Sequence, residues 1–179
     1  QTRGFSRRAI IMHWLITLSI FFLFISSWWM LSLPFPSEDF KYRVLPFQVH
    51  KNIGITILFF LATLLYLRFK FRPGAIVISH ARPWMSRLVI FNHFLLYAII
   101  LSCCVSGYMS SSYSGWNTTL WWIIEPPNWG YENEELNIFY SEIHLWTCWA
   151  LLMNVAIHVS GAIYHAFLND GSVQRMLRL

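Results

Sequence analysis

The chain has 179 residues; 56% are hydrophobic, only 12% are charged, and the mean hydropathy is +0.48. A water-soluble domain of this length would carry about a quarter charged residues. The composition therefore excludes an ordinary soluble domain and points to one integral membrane domain over 1–179 with a net charge of +5.

Four segments stay apolar over the roughly 20 residues that a bilayer core requires. The first covers 9–33 and ends at Pro34 and Pro36. It has no small-residue cleavage site at a usable distance, so it reads as a span rather than a removable leader. The second covers 47–67 and the third 88–109. The fourth covers 136–168 and stops near Asn169-Asp170-Gly171, a helix C-terminal signal. It exceeds one crossing, so it should tilt or project beyond the lipid. The expected fold is all-α, an integral membrane four-helix transmembrane bundle. Aromatic residues reach 18%, which suits interfacial belts and packing around a large flat ligand.

Charge sorts the loops. Arg3, Arg7, Arg8, Arg68, Lys70, Arg72, Arg82, Arg87, Arg175 and Arg178 fall on one side, ten of the thirteen Lys and Arg. The other side holds Lys41, Arg43 and Lys51 with seven of the eight acids: Glu38, Asp39, Glu125, Glu132, Glu134, Glu135 and Glu142. The positive-inside rule then places both termini in the cytoplasm. The acidic loops would face outward, into a periplasm in a bacterial host.

Three cysteines, Cys103, Cys104 and Cys148, lie inside apolar runs and read as small packing residues. No CxxCH stretch exists, which excludes covalent c-type haem.

Histidine carries the signal. A single imidazole in a span is most simply a polar residue bonded to a neighbouring helix. Here His13 sits near the cytoplasmic end of span one, His50 near the outer end of span two, and His144 and His158 both in span four. The last two are 14 residues apart, about 21 Å along a helix and about 40° short of four whole turns. They leave one face at two depths, the first level with His50 and the second on the side of His13. Zinc normally needs four close ligands, and no carboxylate or Cys sits beside both members of either pair. Two nitrogens suffice when a porphyrin supplies four more, so bis-His b-type haem is the economical reading. A coordinated neutral imidazole also removes the cost of a buried polar ring. His165 lies seven residues after His158 and about 20° around the helix, so spacing alone leaves it a rival to His158. His93 and His80 read as structural.

These elements resemble the bacterial cytochrome b561 family of small four-span di-haem membrane proteins. The resemblance rests on FSRRAIIMHWL around His13, VHKNIGI around His50, NHFLLYAIILSCCVSG in span three, the His144/His158 spacing, and the closing YHAFLNDGSVQRML. It covers essentially the whole chain, and His93 stands where members often have a histidine; the departures are Cys104, where members often carry a proline late in span three, and Ala166, where they commonly carry a second histidine. The resemblance implies two haem b groups, the inner on His13 and His158 and the outer on His50 and His144. His165 would then sit near the cytoplasmic interface. Lys51 and Arg43 outside, and Arg7 and Arg8 inside, are candidate propionate partners.

The function implied is electron transfer across a bacterial inner membrane between a periplasmic-side donor and the quinone pool, ubiquinone or menaquinone. Some members resemble superoxide oxidases, an enzymatic alternative; outer loops with three bases and seven acids argue mildly against steering an anion inward. A third class is the haem-carrying membrane subunit of a larger oxidoreductase, with 110–136 as a docking surface. The plainer reading of that stretch is a Trp-anchored lid on the outer interface. The partners expected are membrane lipid, quinone and a periplasmic redox protein or larger complex, and no nucleic acid.

Overall fold

The computed structural model describes residues 7–32, 40–71, 83–116, 118–127, 130–168 and 174. His80, Arg3, Arg72, Arg82, Glu38, Asp39, Arg175, Arg178 and the 169–171 stop signal lie outside them, as do the side chains of Lys41 and Arg43. Four helices follow one another: α1 (Arg7–Ser32), α2 (Phe40–Phe71), α3 (Pro83–Tyr113) and α4 (Glu134–Phe167). Each is long and apolar enough to cross a membrane. The chain is thus a four-helix transmembrane bundle, as its hydropathy implies.

All four helices begin before the apolar segments that mark them, and α2 and α3 also end beyond theirs, because polar residues end a lipid-compatible stretch without ending a helix. The second begins at Phe40 and carries Pro46 in its second turn, where the missing N–H leaves one helical bond unmade. The fourth begins at Glu134 because Asn133, extended at φ −149°, caps it: its side chain accepts from the Leu136 N–H. Glu134 and Glu135 then place negative charge on the positive end of the helix dipole.

Packing runs pairwise. The third helix lies along the fourth, the first along the second, and the second reaches the third. Ring contacts between α1 and α4 bring the outermost pair together. The buried core takes Ile16 and Ile20 from α1, Ile57, Leu61 and Leu64 from α2, Leu96 and Ile100 from α3, and Leu151 from α4. Large apolar side chains elsewhere face outward, among them Phe59 at 70% and Trp146 at 71% exposure. Such a surface is stable only against lipid. Span hydroxyls are satisfied within their own helices: Thr17, Thr56, Thr63 and Thr147 each donate to the carbonyl four residues back.

The α3–α4 connection folds down onto α2. Gly115, at φ +73°, turns the chain out of α3, a left-handed conformation that favours glycine. Trp121 and Trp122 also have positive φ, 47° and 58°, which side chains other than glycine adopt only when held. They are held. Asn52, fully buried, accepts from the Trp121 N–H at 2.5 Å, and the Trp121 indole donates to the Thr56 hydroxyl at 3.1 Å. Ser111 meets Thr118 at 2.8 Å, and the Tyr108 hydroxyl donates to the Pro127 carbonyl. The segment is therefore strapped to the bundle as a cover over α2.

Asn52→Leu removes the acceptor for a strained backbone N–H and should destabilise the protein by about 1–3 kcal/mol. The expected result is a lower thermal midpoint in detergent together with faster proteolysis inside 118–127. An unchanged midpoint with an equally protected loop would show the strap to be dispensable.

Candidate functional site

The bundle brings the span histidines together at two levels. At the loop end, the rings of His50 on α2 and His144 on α4 lie 6.2 Å apart, centroid to centroid. At the opposite end, His13 on α1 and His158 on α4 lie 6.2 Å apart. That end is the basic one: Arg68 donates to the Tyr97 hydroxyl there at 2.6 Å and lies over the Tyr97 ring. Leu151 stands midway on α4, seven residues from each histidine.

Each level is built by small polar groups that orient the rings. The Nδ1 of His144 is 2.9 Å from the Cys103 carbonyl on α3. A carbonyl can only accept, so Nδ1 carries the proton and Nε2 keeps its lone pair. Gly107 lets α3 approach this closely: a Cβ there would stand 3.0 Å from two atoms of the His144 ring. The Nδ1 of His50 lies 3.2 Å from the Ser27 hydroxyl on α1. At the basic end, the Nδ1 of His158 donates to the Asn92 side-chain oxygen at 3.2 Å, and Asn92 in turn donates to Asn154 at 2.7 Å. The fourteen-residue interval of His144 and His158 recurs on α1 as His13 and Ser27, and on α3 as His93 and Gly107. Three helices thus present groups at both levels.

The donor set suits haem iron. A ligating nitrogen lies about 2 Å from its metal, with the ring centroid about 1 Å further back, so two imidazoles sharing one metal would stand about 6 Å apart. Both pairs have that spacing. Imidazole ligands typically fix their tautomer by giving the other N–H to a carbonyl or amide oxygen, as His144 and His158 do. Asn154 is buried, and its Nδ2 has no acceptor among the described residues, one turn from His158. That leaves a donor for a group the chain does not itself supply.

Two further histidines lie on α3 and α4. His93, read as structural, stands 5.0 Å from His158 with the rings perpendicular. Its Nδ1 is bonded to the Val89 carbonyl at 2.7 Å. A third imidazole therefore joins the basic-end pair. His165, the rival of His158 by spacing, is buried against Tyr164, two turns further along α4. Lys51, next to His50, is half-buried and reaches the Trp116 carbonyl at 3.5 Å; Arg7 and Arg8 are exposed at the start of α1.

Ser27, Asn92, Gly107 and the Cys103 carbonyl escaped sequence reasoning. The one signal available was the repeated fourteen-residue interval on α1 and α3.

Residues 4–179 match the family model described as prokaryotic cytochrome b561. Among curated proteins, the chain is similar to cytochrome b561 homolog 2 of Escherichia coli (strain K12), 26% identical over 168 residues, covering 92% of this chain and 86% of that protein.

Proposed function

The chain belongs to the prokaryotic cytochrome b561 family, and from that premise we propose that it holds two b haems and passes single electrons between a periplasmic-side donor and the membrane quinone pool. Membership makes it a multi-pass protein of the bacterial inner membrane whose activity is of the haem-based electron-transfer class. The observation that carries the finer reading is the matched 6.2 Å spacing of two imidazole pairs at opposite ends of one bundle.

In this reading His13 and His158 hold the inner haem, and His50 and His144 hold the outer one. Bound there, haem supplies reversible one-electron chemistry. The chain's own groups fix the rings: the Cys103 carbonyl and Gly107 at His144, Ser27 at His50, and Asn92 at His158. The basic end, with Arg68, lies on the cytoplasmic side and the acidic loops on the periplasmic side. Lys51 beside His50 is the feature that favours an anionic donor, superoxide among them.

The purified protein should be coloured, with b-type bands in the reduced-minus-oxidised spectrum and about two haems per chain. A colourless preparation that binds no added haem would end the reading. Superoxide added to the oxidised protein should reduce it quickly if superoxide is the donor. No reduction, alongside reduction by dithionite, leaves a periplasmic redox protein in that place.

A further inference from the structure

Cys103 and Cys148 are not isolated packing residues. Cys103 is buried on α3, Cys148 half-buried on α4, and their sulfurs stand 3.1 Å apart. That is closer than non-bonded sulfurs normally approach and about 1 Å beyond a covalent S–S bond. The His144 ring sits against both, its Nδ1 3.7 Å from the Cys103 sulfur and its Nε2 3.6 Å from the Cys148 sulfur. Cys104 does not share the site. It follows Cys103 by one residue, so it points about 100° away around α3, and it packs against the apolar core.

The ligand atoms of Cys103, His144 and Cys148 lie within 4.8 Å of one another, a spacing a metal ion would also accept. The hydrogen bonding argues for thiol chemistry instead. His144 has committed its Nδ1–H to the Cys103 carbonyl, and its remaining lone pair, on Nε2, is the one the haem reading uses, which leaves the two sulfurs to each other.

We propose that Cys103 and Cys148 form a redox-active dithiol that closes to a disulfide between α3 and α4 when a lipid-soluble quinone takes its electrons. Two S–H bonds break and one S–S bond forms. Two electrons and two protons pass to the quinone, which leaves as the hydroquinone. The site lies within the spans, which selects an oxidant that dissolves in lipid. Closure draws together the helix turns carrying the Cys103 carbonyl and the His144 ring, so the dithiol state is felt by that ring's orientation. The thiol chemistry stands on the sulfur geometry alone; only its effect on a haem at His144 rests on the proposed function.

The test uses the whole purified protein with the haem it carries. It is reduced with dithiothreitol, desalted, exposed to tetramethylbenzoquinone, which has no open ring position for a thiol to add to, then denatured and labelled with a maleimide. Three labelled thiols are expected before the quinone and one, Cys104, after it, with a peptide linking Cys103 to Cys148. Cys104→Ser should still close, from two labels to none. Cys148→Ser should keep both its remaining thiols. Three labels after the quinone, or a link through Cys104 or between two chains, overturns the proposal. A shifted midpoint of one haem in the linked protein supports both readings. A linked protein that binds no haem keeps the dithiol and removes the haem assignment.

Discussion

His144→Ala should purify with about one haem where the unaltered protein carries about two. The remaining haem should keep the spectrum of the basic-end site, because the two levels are about 21 Å apart along α4. The substitution removes a ring whose partner stands 6.2 Å away and whose Nδ1–H is spoken for by the Cys103 carbonyl. No other histidine among the described residues has a ring contact at that level, so nothing replaces it. Haem per chain, read from the pyridine haemochrome, gives the answer. Two haems retained would end the assignment of His144. His158→Ala is the matching experiment and is less simple, because His93 lies 5.0 Å from His158. Loss of one haem assigns His158. Retention of both assigns the position to His93, and the double variant His93→Ala/His158→Ala should then lose it.

Gly107→Leu should cost the same haem without touching a ligand. A Cβ at this position already meets the His144 ring at 3.0 Å, and three further carbons have no room unless the ring or α3 moves. Overpacking of this kind costs about 1–3 kcal/mol when the protein absorbs it; here the softest neighbour is the imidazole itself. The expected outcome is about one haem per chain and an intact basic-end spectrum. Gly107→Ala needs a shift of only a few tenths of an ångström, so it should keep both haems with a displaced midpoint at one. Full haem content and unchanged midpoints in Gly107→Leu would show that α3 does not position the ring.

The spans and the paired histidines were legible because they depend on short-range rules. Twenty apolar residues identify a span, and fourteen residues on one helix place two rings on one face. What was not legible depends on which helix lies beside which. Asn92 and Ser27 resemble any polar residue that a membrane helix tolerates, and only the packing of α3 on α4 and of α1 on α2 makes them partners of His158 and His50. The closeness of His93 to His158 was not legible, since nothing in span three says how far apart the two rings stand. Cys103 and Cys148 are 45 residues apart, so their contact is a product of helix register. In the α3–α4 connection, the positive φ of Trp121 and Trp122 runs against residue preference, and Trp121 is held by Asn52 on another helix. The termini of α2 and α3 extended past the apolar stretches for a simpler reason: hydropathy marks where lipid ends, not where hydrogen bonding does.

The apolar core lies between the two histidine levels. Ile16 and Ile20 fall between His13 and Ser27, Leu96 and Ile100 between His93 and Gly107, and Leu151 between His144 and His158. A proton crosses such a layer only along polar side chains or threaded water, and the hydroxyls of Thr17, Thr56, Thr63 and Thr147 are tied to their own helix backbones. An electron needs no such wire. With haem held at both levels, as proposed, the bundle would oppose ion movement while passing electrons, so charge would move between its two faces without short-circuiting the ion gradient of the membrane in which it sits.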